Sequence, residues 1–206
     1  MIFKIKSIEM KASKVLSTLM LILGGVSFAF AQSSFEGVIT YNTTNASIDE
    51  NATVKWYHAN GNNLMEFDSR AGDQSYKYAM IMGSNDESVF MKSDIGSQEV
   101  SGITGEEVFT SGKFIRKMNV KEAGYDCEML MFKSNGNDLT YWVTDGIGMT
   151  YSDLPKLMRN NMPSLAGIST GIPIKMELRD ASGNLLRSQS LVSVEERSID
   201  KSKFAK

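Results

Sequence analysis

Few residues of this chain could do chemistry on their own. His58 is the single histidine and Cys127 the single cysteine. His58 follows Trp56-Tyr57 in a strand-like run just before Asn60-Gly61-Asn62. A zinc site draws on several nitrogen or sulfur ligands, which one imidazole and one distant thiol do not supply. The histidine therefore reads as a strand-end residue. Cys127 alternates with Tyr125, Met129 and Met131, so its expected state is a buried, inert thiol rather than a nucleophile. A Cys–His pair would need a local signature, and none is present. No serine sits in a Gly-x-Ser-x-Gly elbow, and no glycine-rich loop precedes a helix to cradle phosphate. The adjacent carboxylates Glu106-Glu107 and Asp86-Glu87 do not converge on one bond as glycosidase carboxylates must. They read as solvated loop charge. The expectation is a protein with no catalytic residues, no metal ligands and no cofactor.

Methionine is the compositional anomaly, with 14 residues. Met80 with Met82, and Met129 with Met131, recur at the two-residue period of a strand. An unbranched, polarisable side chain fills irregular gaps and also lines surfaces that accept varied apolar partners. Two readings stay open: a core in which methionine replaces leucine, and an adaptable apolar cavity.

The elements that would position these side chains centre on Gly124 to Leu178. Tyr125, Cys127, Met129 and Met131 alternate along one strand, Asn135-Gly136-Asn137 turns the chain, and Leu139 to Thr144 returns. Leu154, Leu157, Met158 and Met162 share one helical face, so a helix is expected over Leu154 to Met162, with Asp153 as its N-cap and Pro155 in its first turn. Ile174, Met176 and Leu178 then alternate inward. Upstream, strands are expected at Phe35 to Tyr41, Val54 to Ala59, Leu64 to Phe67, Tyr76 to Met82, Ser88 to Met91 and Phe114 to Val120. Thr43 to Asn51 reads as a polar connection and Asp94 to Gly112 as a long loop. Leu185 to Val194 forms a closing strand, and the charged tail from Lys201 is expected to fray. Turn signals at short intervals favour an antiparallel meander over alternating strand–helix units.

Residues 1–31 read as a cleaved signal peptide. Lys4, Lys6, Lys11 and Lys14 precede an apolar core within Val15 to Phe30, and Ala29-Phe30-Ala31 is a small-x-small cleavage site that leaves Gln32 first. Met10 would serve as a start as well as Met1. No cysteine stands at the cleavage site to carry a lipid anchor, and no later stretch is apolar enough to span a bilayer. Residues 32–206 are expected to form a single domain, exported to the periplasm or beyond. The formal charge of the whole chain is −2, and loss of the lysine-rich leader makes it more acidic. Neither nucleic acid nor an anionic membrane surface is an expected partner. With one cysteine, no intramolecular disulfide forms and the core must carry stability.

The ordered series Phe35-Glu36-Gly37-Val38-Ile39-Thr40-Tyr41, Gly124-Tyr125-Asp126-Cys127, Tyr141-Trp142-Val143-Thr144, Gly171-Ile172-Pro173-Ile174-Lys175-Met176 and Val192-Ser193-Val194-Glu195 resembles a known pattern. It is similar to an uncharacterised family of exported bacterial proteins, a domain of unknown function near the lipoprotein-carrier (LolA-like) superfamily. The resemblance implies a mainly β fold, a strongly curved antiparallel half-barrel partly wrapped around a short helix, with an apolar cavity between. It also implies carriage of lipid or lipoprotein, or binding of envelope proteins. Two functions follow as expectations. One is a non-catalytic module that holds a hydrophobic ligand (a lipid, an acyl chain or a lipidated protein) against Met80, Met82, Tyr125, Met129, Met131, Tyr141, Leu157, Met158 and Met176. The other is an envelope interaction or stress-sensor protein that contacts a partner through a sheet edge or loop.

Overall fold

The computed structural model describes residues 35–83, 86, 88–101, 112–160, 162 and 169–206. The signal peptide expected over residues 1–31, and the Glu106-Glu107 pair, lie outside the described residues. Eleven strands form one sheet: β1 (Gly37–Asn45), β2 (Glu50–Ala59), β3 (Asn62–Ala71), β4 (Gln74–Gly83), β5 (Ser88–Ser93), β6 (Gly96–Ser101), β7 (Lys113–Glu122), β8 (Tyr125–Ser134), β9 (Asn137–Thr144), β10 (Ile172–Arg179) and β11 (Leu185–Glu196). Their spatial order is β6-β5-β4-β3-β2-β1-β11-β10-β9-β8-β7. All neighbours run antiparallel. Among the described residues the sheet is curved and does not close, leaving β6 and β7 as its edges.

Turn chemistry sets the registers. Asn60-Gly61 and Asn135-Gly136 each hold two successive positive φ angles, 51° and 76°, then 49° and 83°. Two-residue hairpins of this kind match the twist of the strands they join. The β3–β4 hairpin turns at Gly72-Asp73, so Met65 lies directly across from Met80. Repeated strand by strand, this pairing builds a row across six strands: Val194, Ile39, Trp56, Met65, Met80 and Met91. That row is the spine of the main apolar core, which also holds Tyr41, Val54, Met82 and Val89.

Several elements differ from the sequence expectation, each for a physical reason. Lys156–Asn160 is the only α-helical segment among the described residues, here α1. The expected helix was longer and began at Leu154. Leu154 precedes Pro155, and the proline ring pushes its neighbour out of the helical region; Leu154 is extended at φ −61°, ψ 138°. A separate 3-10 turn, Tyr151–Asp153, comes first. Asp153 caps that turn rather than α1, its carboxylate accepting from the Thr150 backbone N–H at 2.7 Å.

The stretch read as a long loop from Asp94 contains a tight turn at Asp94-Ile95 and the polar strand β6. The polar connection after Thr43 is strand to Asn45, then a 3-10 turn at Ala46–Ile48. The tail does not fray. Lys201–Phe204 form a 3-10 turn capped by Asp200. Phe204 and Ile199 pack on Val38, Tyr57, Leu64 and Ile81, and the Lys203 ammonium stands 4.3 Å from the Tyr57 ring.

No helix among the described residues is long and apolar enough to cross a membrane.

Candidate functional site

The site is built where the connection from β9 to β10 meets the methionine row. Ile147, Met149, Leu154 and Leu157 from this connection are buried in the same cluster as Trp56, Met65 and Met82, with Met158, Met162, Met80 and Met91 packed against it. Met149 and Leu154 are almost wholly inaccessible. Among the described residues the cover consists of one 3-10 turn and the five residues of α1. Hydrogen bonds hold its described parts to one another. The Tyr151 backbone N–H donates to the Thr170 carbonyl at 2.7 Å, and its hydroxyl donates to the Arg159 carbonyl at 3.2 Å. At its return to the sheet, a side chain at Gly171 would collide with the Thr144 carbonyl, so only glycine fits.

The nine expected ligand-facing residues divide among three environments. Met82 and Leu157 are buried in the main cluster, and Met80, Met158 and Tyr125 pack against it. Tyr141 is buried in a second cluster with Leu130, Phe132, Leu139, Val143 and Leu178, and Met176 packs against that one. Met129 and Met131 are half-buried and belong to neither. The register explains the split. Leu130 pairs with Tyr141 on one face of β8 and β9, whereas Met129 pairs with Trp142 on the other. In β10 a register shift between Pro173 and Lys175 changes which face follows, so Ile174 joins the main cluster and Met176 the second. Met65, Met91 and Met149 carry as much of the site as the expected residues. Met65 could have been found by counting back from the Gly72-Asp73 turn to the partner of Met80.

Buried polar groups at the edge of the site are paired. The Trp56 Nε1–H donates to Asn63 Oδ1 at 2.9 Å, and His58 Nδ1 lies 2.9 Å from the same oxygen. Since that oxygen only accepts, Nδ1 carries the proton. His58 and Asn63 are both buried, which places the histidine in a structural network. Burial likewise pushes the Tyr41 and Tyr141 hydroxyls well above their ordinary range, and Tyr41 donates to the Pro173 carbonyl at 3.2 Å. Burial also raises the Cys127 thiol, the direction opposite to activation.

Two surface grooves are also present, the first bordering the foot of the connection at Thr170 and Gly171. One of about 530 Å³ is lined by Val120, Asp126, Cys127, Thr144 and Ser169 among others. The second, about 670 Å³, runs over Lys55, Glu66, Asp68, Lys77 and Lys92. None of the nine expected residues lines either groove. Among the described residues, no three of histidine, cysteine, aspartate and glutamate come together as a metal ligand set.

The described residues thus form an open, curved antiparallel sheet with a short helical segment over one face. The chain belongs to the family described as a domain of unknown function, DUF4412, whose model matches residues 35–206. No curated protein sequence matches it. Among solved structures it is similar to an uncharacterized conserved protein from Thermus thermophilus. That match has 10% identity and a TM-score of 0.53, and covers 84% of this chain and 85% of that one. Weaker similarities extend to the Pseudomonas aeruginosa MucA/MucB complex, at 9% identity over 84% of this chain and 55% of that one, TM-score 0.44. A putative outer membrane lipoprotein-sorting protein domain from Vibrio parahaemolyticus follows, at 11% identity over 85% and 90%, TM-score 0.33. At 10% identity the likeness to the Thermus protein is one of fold alone.

Proposed function

We propose that the protein is an exported, non-catalytic binding module that holds a hydrophobic ligand, such as a lipid, an acyl chain or a lipidated protein, between its sheet and the β9–β10 connection. Residues 1–31 would direct export to the periplasm and be removed, leaving a single domain from Gln32 onward. The observation that carries this reading is the methionine-rich contact between Met65, Met80, Met82 and Met91 of the sheet and Met149, Leu157, Met158 and Met162 of the cover. Flexible thioethers repack around a guest at low cost where branched side chains would not. In the closed arrangement they fill the space themselves. Displacement of the short cover opens a chamber whose walls gain about 0.8 kcal/mol for each methylene they bury.

No bond is made or broken in this account, and the buried Cys127, His58 and tyrosines act as structure. Native mass spectrometry of the protein purified from its own host tests the proposal. The expected spectrum contains an added mass of lipid size, lost when the protein is denatured. A spectrum of bare chain from every gentle preparation, with no uptake of added fatty acid, would refute it.

A further inference from the structure

We infer that β7 is a docking edge for an extended, acidic peptide segment of another protein, which adds to the sheet as a further strand. The two edges of the sheet are unlike. The β6 edge has six residues, Gly-Ser-Gln-Glu-Val-Ser, mostly polar, the short and unattractive form that discourages pairing. The β7 edge has ten residues, and Lys113 through Asn119 are all exposed. Phe114, Ile115 and Met118 are 40%, 55% and 38% accessible. Its outer side has no strand neighbour among the described residues, and an edge strand of this kind can take up a partner strand through its backbone groups.

The side chains specify that partner. The strand carries four cations, Lys113, Arg116, Lys117 and Lys121, and one anion, Glu122, in a chain whose net charge is −2. Lys117 is paired to Glu128 and Lys121 to Asp126 on β8. Lys113 and Arg116, both exposed, have no acidic partner among the described residues. Two rows run inward from the edge on one face. Met118, Met129 and Trp142 form the first, ending under the Lys175 ammonium 4.5 Å from the indole ring. Arg116, Met131, Thr140 and Glu177 form the second. An added strand with an apolar residue beside Met118, and a carboxylate two residues along beside Arg116, continues both rows. A second copy of β7 would set cations against cations, which is why the partner is an acidic segment of a different chain.

The test is a fluorescence-anisotropy titration with an end-capped peptide of alternating leucine and glutamate. Controls are the same peptide with lysine for glutamate and the same peptide with alternate backbone amides methylated. The intact chain should bind the acidic peptide and neither control. Arg116→Glu, an exposed change that leaves the fold's circular dichroism unaltered, should weaken binding at least tenfold, and added salt should weaken it too. Equal binding of the lysine peptide would overturn the charge argument, and equal binding of the methylated peptide would overturn strand addition. No binding by the intact chain overturns the inference, including the case where binding appears only after removal of residues 102–111. A dimer of the intact chain that the peptide does not dissociate also overturns it.

Discussion

The half of the sheet from β1 to β5 and the half from β7 to β9 are built from similar strands but finished differently. In the first half both faces are covered. Ile39, Trp56, Met65 and Met82 lie in the main core, and the intervening Val38, Tyr57, Leu64 and Ile81 lie beneath Ile199 and Phe204 of the C-terminal segment. In the second half one face is buried through Leu130, Phe132, Leu139 and Tyr141. The other leaves Met118, Met129, Met131 and Trp142 partly open. Apolar side chains left partly accessible contribute less to folding and remain available for contact. The first half therefore carries stability, and the second offers surface.

The largest expected effect comes from removal of residues 198–206, which uncovers the Val38–Ile81 face. Large-to-small losses of this kind cost about 3–5 kcal/mol, to be read as a lower urea midpoint. Retention of the wild-type midpoint would mean that the C-terminal segment only rests on the sheet. Next in size is Asn63→Leu. It strands the buried Trp56 N–H and His58 Nδ1, each worth about 1–3 kcal/mol when unpaired, and thermal unfolding should register about 2–4 kcal/mol.

A smaller effect should appear with acid. Asp86 accepts from the Gly83 N–H at 2.8 Å and from Lys206 Nζ at 3.3 Å. The backbone hydrogen bond from Gly83 is the larger cause holding its carboxyl below the usual carboxylate range. A lowered folded value means the stabilisation is fully present above the ordinary carboxylate range and is lost as pH falls through the lowered one. Stability of wild type relative to Asp86→Asn should thus shrink with acidification; an advantage unchanged down to strong acid would contradict it. The smallest effect belongs to the open half. Met131→Ala should change stability by only about 0.5 kcal/mol, and a loss comparable to that of Asn63→Leu would mean the two halves are not different in kind.

The strands, and the hairpins at Asn60-Gly61 and Asn135-Gly136, were legible because alternation and turn residues are local signals. The position of the core was less so. Along β8, Tyr125, Cys127, Met129 and Met131 alternate with Glu128, Leu130 and Phe132, so both faces of the strand carry apolar groups. Cys127 is buried and Met129 half-open, a difference set by what lies over each and not by the residues themselves. In β10, the shift beside Pro173 moves Ile174 and Met176 into different clusters, which a strict period of two cannot anticipate. The helical spacing of Leu154, Leu157, Met158 and Met162 located the cover segment, while Pro155 shortened its helix. β6 escaped because its polar residues have no alternation. The tail escaped because its two apolar anchors, Ile199 and Phe204, are separated by charge.

The central claim, that the methionine row beneath the β9–β10 connection receives a hydrophobic ligand, is tested most directly by titrating a fluorescent fatty acid into three forms of the protein. Wild type should saturate with the probe. Met80→Trp, which places a large ring in the row between Met65 and Met91, should lose most of that uptake, whereas Met129→Trp on the half-open face should keep it. A wild type that takes up no probe, or uptake lost in Met129→Trp and kept in Met80→Trp, would contradict the account.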